Sequence, residues 1–147
     1  MEHLPDRDAV IIGAGPGGCE IAFHLASAGF DVLVVEKEKL DREKPCGGGI
    51  QLQELVEFGP LPEEVIERRI KGFRIISPEN RVLEAGVSRA NQFSVTVKRS
   101  VYDRYLQKRA AKAGAEVLGE VKATEVHRRG QRVTVYLKTD EGRRVDF

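Results

Sequence analysis

The sequence predicts an α/β fold that opens with a strand–helix–strand unit and a parallel sheet. Two short apolar runs, AVII (9–12) and DVLVV (31–35), have the length and composition of buried strands. Between them, residues 17–28 place apolar side chains at helical spacing, and Gly29 provides a helix stop signal. A strand, a helix and a strand in this order form a parallel pair joined by a right-handed crossover.

The middle of the chain predicts short helices followed by antiparallel strands. Residues 51–58 and 62–70 each have the pattern of a short helix, the second with a proline and two glutamates at its start. Two strands, 73–77 and 81–85, flank the turn signal PEN and predict a hairpin. The alternating run FSVTV (93–97) predicts one more strand.

The last third predicts a helix and a β-meander. Ser100 is expected to open the helix, with Asp103 at the capping-box position and Gly114 as the stop signal. The strands that follow are AEVL, TEVHR, RVTVYLK and RRVDF, the last two joined at TDEG. The fold class is therefore a Rossmann-like α/β unit with an additional meander and the start of a second sheet.

Composition and charge exclude several classes of function. A chain of 147 residues with 41% hydrophobic and 32% charged residues is of a size and composition expected for one globular domain. A net charge of +1 gives no electrostatic case for nucleic acid. Cys19 and Cys46, without a secretory signal or a stretch long enough to cross a bilayer, predict free thiols in the cytoplasm. The cysteines and the scattered histidines lack metal-ligand spacing, so no metal site is expected.

The run GAGPGG follows the first predicted strand and opens the first predicted helix. It places Gly13, Gly15 and Gly18 in the Gly-x-Gly-x-x-Gly pattern of dinucleotide-binding turns. Gly13 allows the tight turn, Gly15 lets the backbone approach a pyrophosphate, and Gly18 lets helix and strand pack closely. The helix N-terminus then offers N–H groups and a partial positive charge to phosphates. A glycine-rich turn without a ligand is the structural alternative.

Glu36 and its neighbours indicate which dinucleotide binds. Glu36 ends the second strand 23 residues after Gly13, where a carboxylate accepts hydrogen bonds from a ribose. A carboxylate there repels the 2′-phosphate of NADP, so FAD and NAD remain. Pro16 and Gly17 within the loop, and the run VVEK ending at Lys37, are similar to the FAD-binding signature of glutathione-reductase-type flavoproteins. FAD is therefore the preferred cofactor.

A second glycine cluster, KPCGGGI (44–50), follows this unit. Glycine is costly to order, so a triple glycine needs a reason. Main chain without Cβ atoms can lie against a flat ring, which suggests that the backbone of Gly47, Gly48 and Gly49 lies against the flavin. The alternative is a flexible connector between Glu36 and the helix at Gln51.

Three segments together resemble the geranylgeranyl reductase family, within the flavoprotein group related to p-hydroxybenzoate hydroxylase. They are DAVIIGAGPGGCEIAFHLASAGFDVLVVEK, KPCGGG and VKRSVYDRYLQKRAAKAGAEV. The first is shared by very many flavoproteins, and the Cys-Gly-Gly-Gly element is far more specific. The resemblance implies an FAD enzyme that reduces carbon–carbon double bonds of isoprenoid chains. The flavin carries the hydride chemistry. An external electron donor, NADPH or a ferredoxin-like protein, would bind elsewhere than the N-terminal site.

The resemblance also implies roles for single residues. Cys46 would lie at the flavin. The alternative interpretation is that Cys46 is only a small buried residue with no chemical role. Arg99 matches the arginine of the family's Val-x-Arg-x-x-Phe/Tyr-Asp element and would contact the phosphate or ribityl region, against the alternative of a solvated arginine. Val121 would bring its backbone against the adenine, against the alternative of an ordinary loop residue.

The sequence departs from the family in what it lacks. The family's later Gly-Ala-Asp-Gly and Gly-Asp-Ala-Ala-Gly segments do not occur in these 147 residues. We interpret residues 1–147 as an N-terminal FAD-binding domain, with 72–97 as strands of a partial substrate-binding sheet. A C-terminal chain that completes the fold would then be a partner, and this chain alone would be inactive. A flavin monooxygenase or halogenase of the same superfamily, and a non-catalytic nucleotide-binding remnant, are the alternatives. The expected location is the cytoplasm, with or without peripheral membrane contact.

Overall fold

The computed structural model describes residues 2–3, 5–86, 94–139 and 144–146. They form two units, a first unit of residues 1–42 and 103–147 and a second unit of residues 43–102. The single-domain expectation and the assignment of 72–97 to a substrate-binding sheet remain predictions.

The helices are α1 (Pro16–Ser27), α2 (Leu52–Phe58) and α3 (Arg99–Lys112). The strands are β1 (Glu2–His3), β2 (Ala9–Ile12), β3 (Val32–Val35), β4 (Gly49–Gln51), β5 (Arg68–Ile70), β6 (Gly72–Ile76), β7 (Val82–Gly86), β8 (Ser94–Thr96), β9 (Glu116–Leu118), β10 (Val121–Arg129), β11 (Arg132–Thr139) and β12 (Arg144–Asp146). Within the described ranges, no helix is long and apolar enough to cross a membrane.

The parallel sheet of the first unit confirms the predicted strand–helix–strand unit. β2 pairs with β3 in parallel, with Ala9 opposite Val32, and β9 joins β3 on its other side. All four residues of β3 are buried, as expected for a central strand covered on both faces. α1 buries a stripe of small side chains, Cys19, Ala22 and Ala26, and small side chains allow a close approach to the sheet.

The predicted meander also forms, in the order β1-β12-β11-β10. β10, β11 and β12 pair antiparallel, and β1 pairs with β12 in parallel. Val135 and Leu137 of β11 form a buried cluster with Leu33 and Val35 of β3. This cluster joins the two sheets of the first unit into one core. The TDEG turn lies largely outside the described residues.

In the second unit, β4, β8 and β5 form an antiparallel sheet, and β6 and β7 form the predicted hairpin. The prediction of a helix over 62–70 is wrong. Only Glu63–Val65 makes a single 3₁₀ turn, and β5 then pairs with β8, with Arg69 opposite Val95. Pairing across the sheet therefore overrides the local helix preference of this segment. The predicted strand 93–97 is observed as β8, and Phe93 lies outside the described residues.

Helix α3 begins one residue before the expected position. Ser100 therefore lies within the first turn of α3 and not ahead of it, which corrects the predicted capping box at Ser100. Its hydroxyl donates to Glu43 Oε1 at 3.1 Å. Gly114, at φ +113°, follows the end of α3 as predicted.

Gly48 has a structural requirement that the sequence did not reveal. Its φ is +63°, and a Cβ atom there would lie 2.0 Å from the Val97 carbonyl oxygen. The Gly48 carbonyl also accepts from the Val97 N–H at 2.9 Å. A Cβ atom at Gly47 or Gly49 would have nothing within 4 Å, and neither has a positive φ. The fold of the second unit thus explains Gly48 by itself and leaves Gly47 and Gly49 unexplained.

We expect Gly48→Ala to destabilise the protein and Gly47→Ala to leave its stability nearly unchanged. Alanine at Gly48 suffers backbone strain of about 1–3 kcal/mol, and the collision with Val97 adds to this cost. The exposed substitution at Gly47 changes the free energy of unfolding by no more than about 0.5 kcal/mol. Urea denaturation followed by circular dichroism measures both values. Equal midpoints for the two variants would contradict this assignment.

Candidate functional site

The glycine loop between β2 and α1 is held against the end of β3. The Gly13 N–H donates to the Val35 carbonyl at 2.8 Å, and Gly13 has a φ of +106°, which favours glycine. Ala14 is buried, and Gly15 precedes the first residue of α1 in extended conformation (φ −80°, ψ −177°). The tight turn predicted for Gly13 is therefore present.

The glycines of this loop differ in what requires them. A Cβ atom at Gly18 would lie 2.0 Å from the Gly13 carbonyl oxygen, so Gly18 serves the predicted close packing of helix and strand. A Cβ atom at Gly15 or Gly17 would meet nothing within 4 Å, and neither has a positive φ. The protein's own packing does not require glycine at Gly15. Open space above a loop glycine is what a pyrophosphate approaching the backbone needs.

The N-terminus of α1 suits an anion. Pro16 occupies the start of the helix, no side chain caps Gly15, and the first turn carries no acidic residue. The first intrahelical bond runs from the Cys19 N–H to the Gly15 carbonyl at 2.9 Å. The backbone N–H groups of the first turn therefore have no carboxylate cap, and the helix dipole adds a partial positive charge.

Glu36 joins the glycine loop to the segment that follows β3. Its carboxylate is buried, with Oε2 accepting from the Ala14 N–H and Oε1 from the Glu38 N–H, both at 3.1 Å. Arg42 Nη2 lies 3.8 Å from Oε2. A carboxylate has about four acceptor positions, so both oxygens retain capacity for ribose hydroxyl groups. Glu36 thus has a structural role, and its role as a ribose acceptor stays a prediction.

The segment after Glu36 rests on the turn that leads into β10. The Val121 N–H donates to the Glu36 carbonyl at 2.9 Å, and the Glu120 N–H donates to the Glu38 carbonyl at 3.0 Å. Val121 is therefore beside Glu36, as the expected adenine contact requires, but its N–H already has a partner. Its side chain packs against the buried cluster of Leu33, Val35, Val135 and Leu137, and the contact of its backbone with an adenine stays a prediction. Lys37 is exposed, with Nζ 3.9 Å from Glu38 Oε1.

The thiol of Cys19 is a packing group of the first unit. It is buried, and Sγ lies 3.4 Å from the Ala14 carbonyl oxygen, to which it donates. Burial, together with the nearby carboxylates of Asp103, Glu36 and Glu20, raises the pKa of Cys19 to about 12. The thiol therefore stays protonated and unreactive at neutral pH. Among the described residues, no group of His, Cys, Asp and Glu side chains could hold a metal ion.

The second unit brings Cys46, Gly48 and Arg99 together. Cys46 is exposed, which excludes the small buried residue considered as its alternative. The Gly48 N–H lies 3.4 Å from Cys46 Sγ and lowers the pKa of the thiol, and a hydrogen bond from Arg99 lowers it further. Arg99 is half-buried and engaged with Cys46, so it is not simply a solvated arginine. Gly47 and Gly49 are exposed beside this group.

Sequence reasoning missed Gln107 as well as the anchoring of Ala14. Gln107 Nε2 donates to the carbonyl oxygens of Ala14 and Leu40, both at 3.3 Å. The signal in the sequence was its spacing, because Gln107 falls on the buried face of α3 with Leu106 and Ala110. A polar residue at a core position of a helix is unusual, and this could have identified Gln107 as a residue with a specific role.

Comparisons with known proteins show which families and structures this chain is similar to. The pyridine nucleotide-disulphide oxidoreductase family profile matches residues 7–147. A chloroplastic geranylgeranyl diphosphate reductase of Arabidopsis thaliana is 39% identical over 109 residues, which cover 74% of this chain and 23% of that protein. A digeranylgeranylglycerophospholipid reductase of Methanocella arvoryzae is 38% identical over 121 residues, which cover 81% of this chain and 31% of that protein. These matches confirm the resemblance to geranylgeranyl reductases. The chain spans about a quarter to a third of the length of these relatives.

Solved structures share the same fold. A geranylgeranyl bacteriochlorophyll reductase-like protein from Thermoplasma acidophilum superposes with a TM-score of 0.88 at 28% identity, covering 99% of this chain and 37% of that one. A myxobacterial chondrochloren halogenase superposes with a TM-score of 0.76 at 21% identity, and the match covers 99% of this chain and 35% of the halogenase chain. The second likeness is one of fold alone.

We expect Gly15→Val to remove ADP binding while the protein stays folded. A Cβ atom at Gly15 meets nothing of the protein within 4 Å, so we expect the loss to fall on a bound diphosphate. The expected loss of affinity is about a hundredfold or more, equivalent to about 2.8 kcal/mol. Isothermal titration calorimetry with ADP measures it. Gly47→Val is the matched control, because a Cβ atom at Gly47 also meets nothing within 4 Å and Gly47 is a candidate for the flavin end alone, so its ADP affinity should be unchanged. Unchanged ADP affinity in Gly15→Val would show that the loop is only a structural turn.

Proposed function

Because the chain belongs to the pyridine nucleotide-disulphide oxidoreductase family, we propose that its first unit holds the ADP portion of FAD. One observation carries the proposal: buried Glu36, at the end of β3, holds the Ala14 N–H beside a glycine that the fold does not require. The loop is thereby fixed while the space above Gly15 stays open. This combination suits a diphosphate on the loop and a ribose at the carboxylate.

The first unit would bind the two halves of the ADP portion differently. Gly15 and the first turn of α1 would receive the pyrophosphate through backbone N–H groups, with Pro16, Gly17 and Gly18 shaping that turn. Glu36 would accept hydrogen bonds from the adenosine ribose, and the backbone of Val121 would lie against the adenine. The carboxylate disfavours NADP because it would meet the 2′-phosphate. Between FAD and NAD, Pro16 after the second glycine of the loop and the run VVEK, ending at Lys37, favour FAD.

For the second unit we propose contact with the flavin end of the cofactor. Gly47 and Gly49 have no neighbour within 4 Å of a Cβ position, so a flat ring lying against them would account for both glycines. Gly48 sets the turn that carries them. Arg99, with five N–H donors, can serve Cys46 together with a phosphate or ribityl oxygen. When bound, FAD supplies the hydride transfer, and these residues supply position and a polar environment.

The reaction proposed for the whole protein is reduction of isoprenoid carbon–carbon double bonds. The support is the identity of 38–39% to proteins named as reductases of geranylgeranyl diphosphate and of digeranylgeranylglycerophospholipid. The proposal includes an external electron donor, NADPH or a ferredoxin-like protein, and a C-terminal chain that completes the fold. The proposal also includes a location in the cytoplasm with peripheral membrane contact, because the substrate would be an isoprenoid.

The competing reaction is flavin-dependent oxygenation or halogenation. Its support is the likeness to a halogenase, which at 21% identity concerns the fold alone. Fold similarity does not carry a substrate class, because the reaction depends on residues at the site. The relatives that are named as reductases have higher sequence identity to this chain than the halogenase has. The Cys-Gly-Gly-Gly element of this chain also resembles the reductase family, so reduction is the preferred reaction.

We expect this chain to replace the matching N-terminal part of the Methanocella arvoryzae reductase in an active chimera. With FAD reduced chemically in the absence of oxygen, the chimera should saturate double bonds of digeranylgeranylglycerophospholipid, as followed by mass spectrometry. The same chimera carrying Gly15→Val is the matched control and should lack both FAD and activity. A folded, FAD-loaded chimera that leaves the lipid unreduced would contradict the proposed reaction while leaving the FAD assignment intact.

A further inference from the structure

Gln107 is a buried polar side chain that touches both walls of the proposed ADP site. It lies on α3 and is 4% exposed. Nε2 donates to the Ala14 carbonyl and to the Leu40 carbonyl, each at 3.3 Å. Ala14 belongs to the glycine loop, and Leu40 belongs to the segment that follows Glu36. One amide group therefore connects the two segments.

The orientation of this amide follows from its surroundings. Both neighbouring groups are carbonyl oxygens, and only the NH₂ end of the side chain can donate to them. The other end, Oε1, is buried and has no hydrogen-bond partner within the described part of the chain. An orphan acceptor in the interior is unfavourable, and an apolar side chain of similar size would avoid it. We conclude that the two donations are what keeps a glutamine at this position.

The two carbonyl groups belong to segments that are fixed from other directions as well. The Ala14 N–H is bound by Glu36 Oε2, and its carbonyl also receives the thiol of Cys19. The Leu40 side chain packs so closely on Gly119 that a Cβ atom there would lie 2.8 Å from Leu40 Cγ. Gln107 adds a second link between these two segments, besides the one through Glu36, and this link runs through α3.

We propose that Gln107 is a positioning residue that sets the spacing between the pyrophosphate loop and the segment after Glu36. The inference rests on the proposed function of the first unit. Gln107 is not placed in contact with the cofactor, because its side chain is buried and its Nε2 donates to Ala14 and Leu40. It acts by fixing the position of Ala14, so that the backbone of the next residue, Gly15, is placed where a diphosphate can approach it. Loss of the amide therefore weakens nucleotide binding more than it weakens the fold.

The first test compares Gln107→Leu with Leu106→Ala, a substitution at the neighbouring buried position of α3. Gln107→Leu should bind FAD and ADP about tenfold more weakly, with faster hydrogen exchange in residues 13–18 and 38–42. Leu106→Ala should lower the melting temperature and leave nucleotide affinity unchanged below that temperature. If both variants lose affinity only in proportion to their unfolded fraction, Gln107 is an ordinary core residue and the inference is overturned.

The second test uses Gln107→Glu and does not depend on absolute affinity. A carboxylate at this position would face two carbonyl oxygens, whereas the protonated acid regains one donor. FAD affinity of this variant should therefore rise as the pH is lowered through the range of a buried carboxyl, about 8 to 5. The titratable groups of the same interior, Cys19, Glu36 and Asp103, are present in every variant. Wild type and Gln107→Leu should lack the step, and its absence in Gln107→Glu would overturn the inference.

The outcomes separate this inference from the function on which it rests. A wild-type protein that binds neither FAD nor ADP overturns the proposed function and this inference with it. A wild-type protein that binds both, with unchanged affinity and unchanged exchange in Gln107→Leu, overturns the inference alone. Weaker binding with faster exchange confined to the two segments supports it.

Discussion

The hydrogen bond between the Glu36 carboxylate and the Ala14 N–H is the interaction on which the proposed site depends. It spans 3.1 Å in a buried position and joins the loop after β2 to the end of β3. A buried carboxylate is stable only when its hydrogen bonds are satisfied, so Glu36 needs this N–H and that of Glu38. The same requirement holds the loop in place, and the carboxylate that organises the loop is also the one proposed to accept from a ribose.

The glycines of the two clusters divide by what each one makes possible. Gly18 and Gly48 have no room for a Cβ atom, since each would place it 2.0 Å from a carbonyl oxygen. Gly15, Gly47 and Gly49 have open space around them and no positive φ. The first group is required by packing within each unit. Packing within each unit gives no reason for glycine in the second group, and the proposed cofactor contacts would supply one.

The sequence predicted well what depends on local pattern and less well what depends on pairing. The unit from β2 to β3, the helix α2, the β6–β7 hairpin and the meander were all recognisable from apolar periodicity and turn residues. Residues 62–70 were not, because the partner strand β8 decides their conformation. The contact of Gly48 with Val97 could not be predicted, because the two residues are distant in the sequence, and the place of Gly48 at the flavin stays a prediction. Gln107 escaped notice for a related reason, since its partners Ala14 and Leu40 are distant in the chain.

The most direct test of the account is the affinity of Glu36 variants for FAD and NADP. Glu36→Gln keeps the shape but turns an NH₂ group toward one of the two backbone N–H donors, so FAD affinity should fall by about tenfold to a hundredfold. Glu36→Arg should abolish FAD binding, because a guanidinium has no acceptor for either N–H. Calorimetry on the folded variants provides the values. FAD affinity that is unchanged in Glu36→Gln, or a wild-type protein that prefers NADP to FAD, would contradict the account.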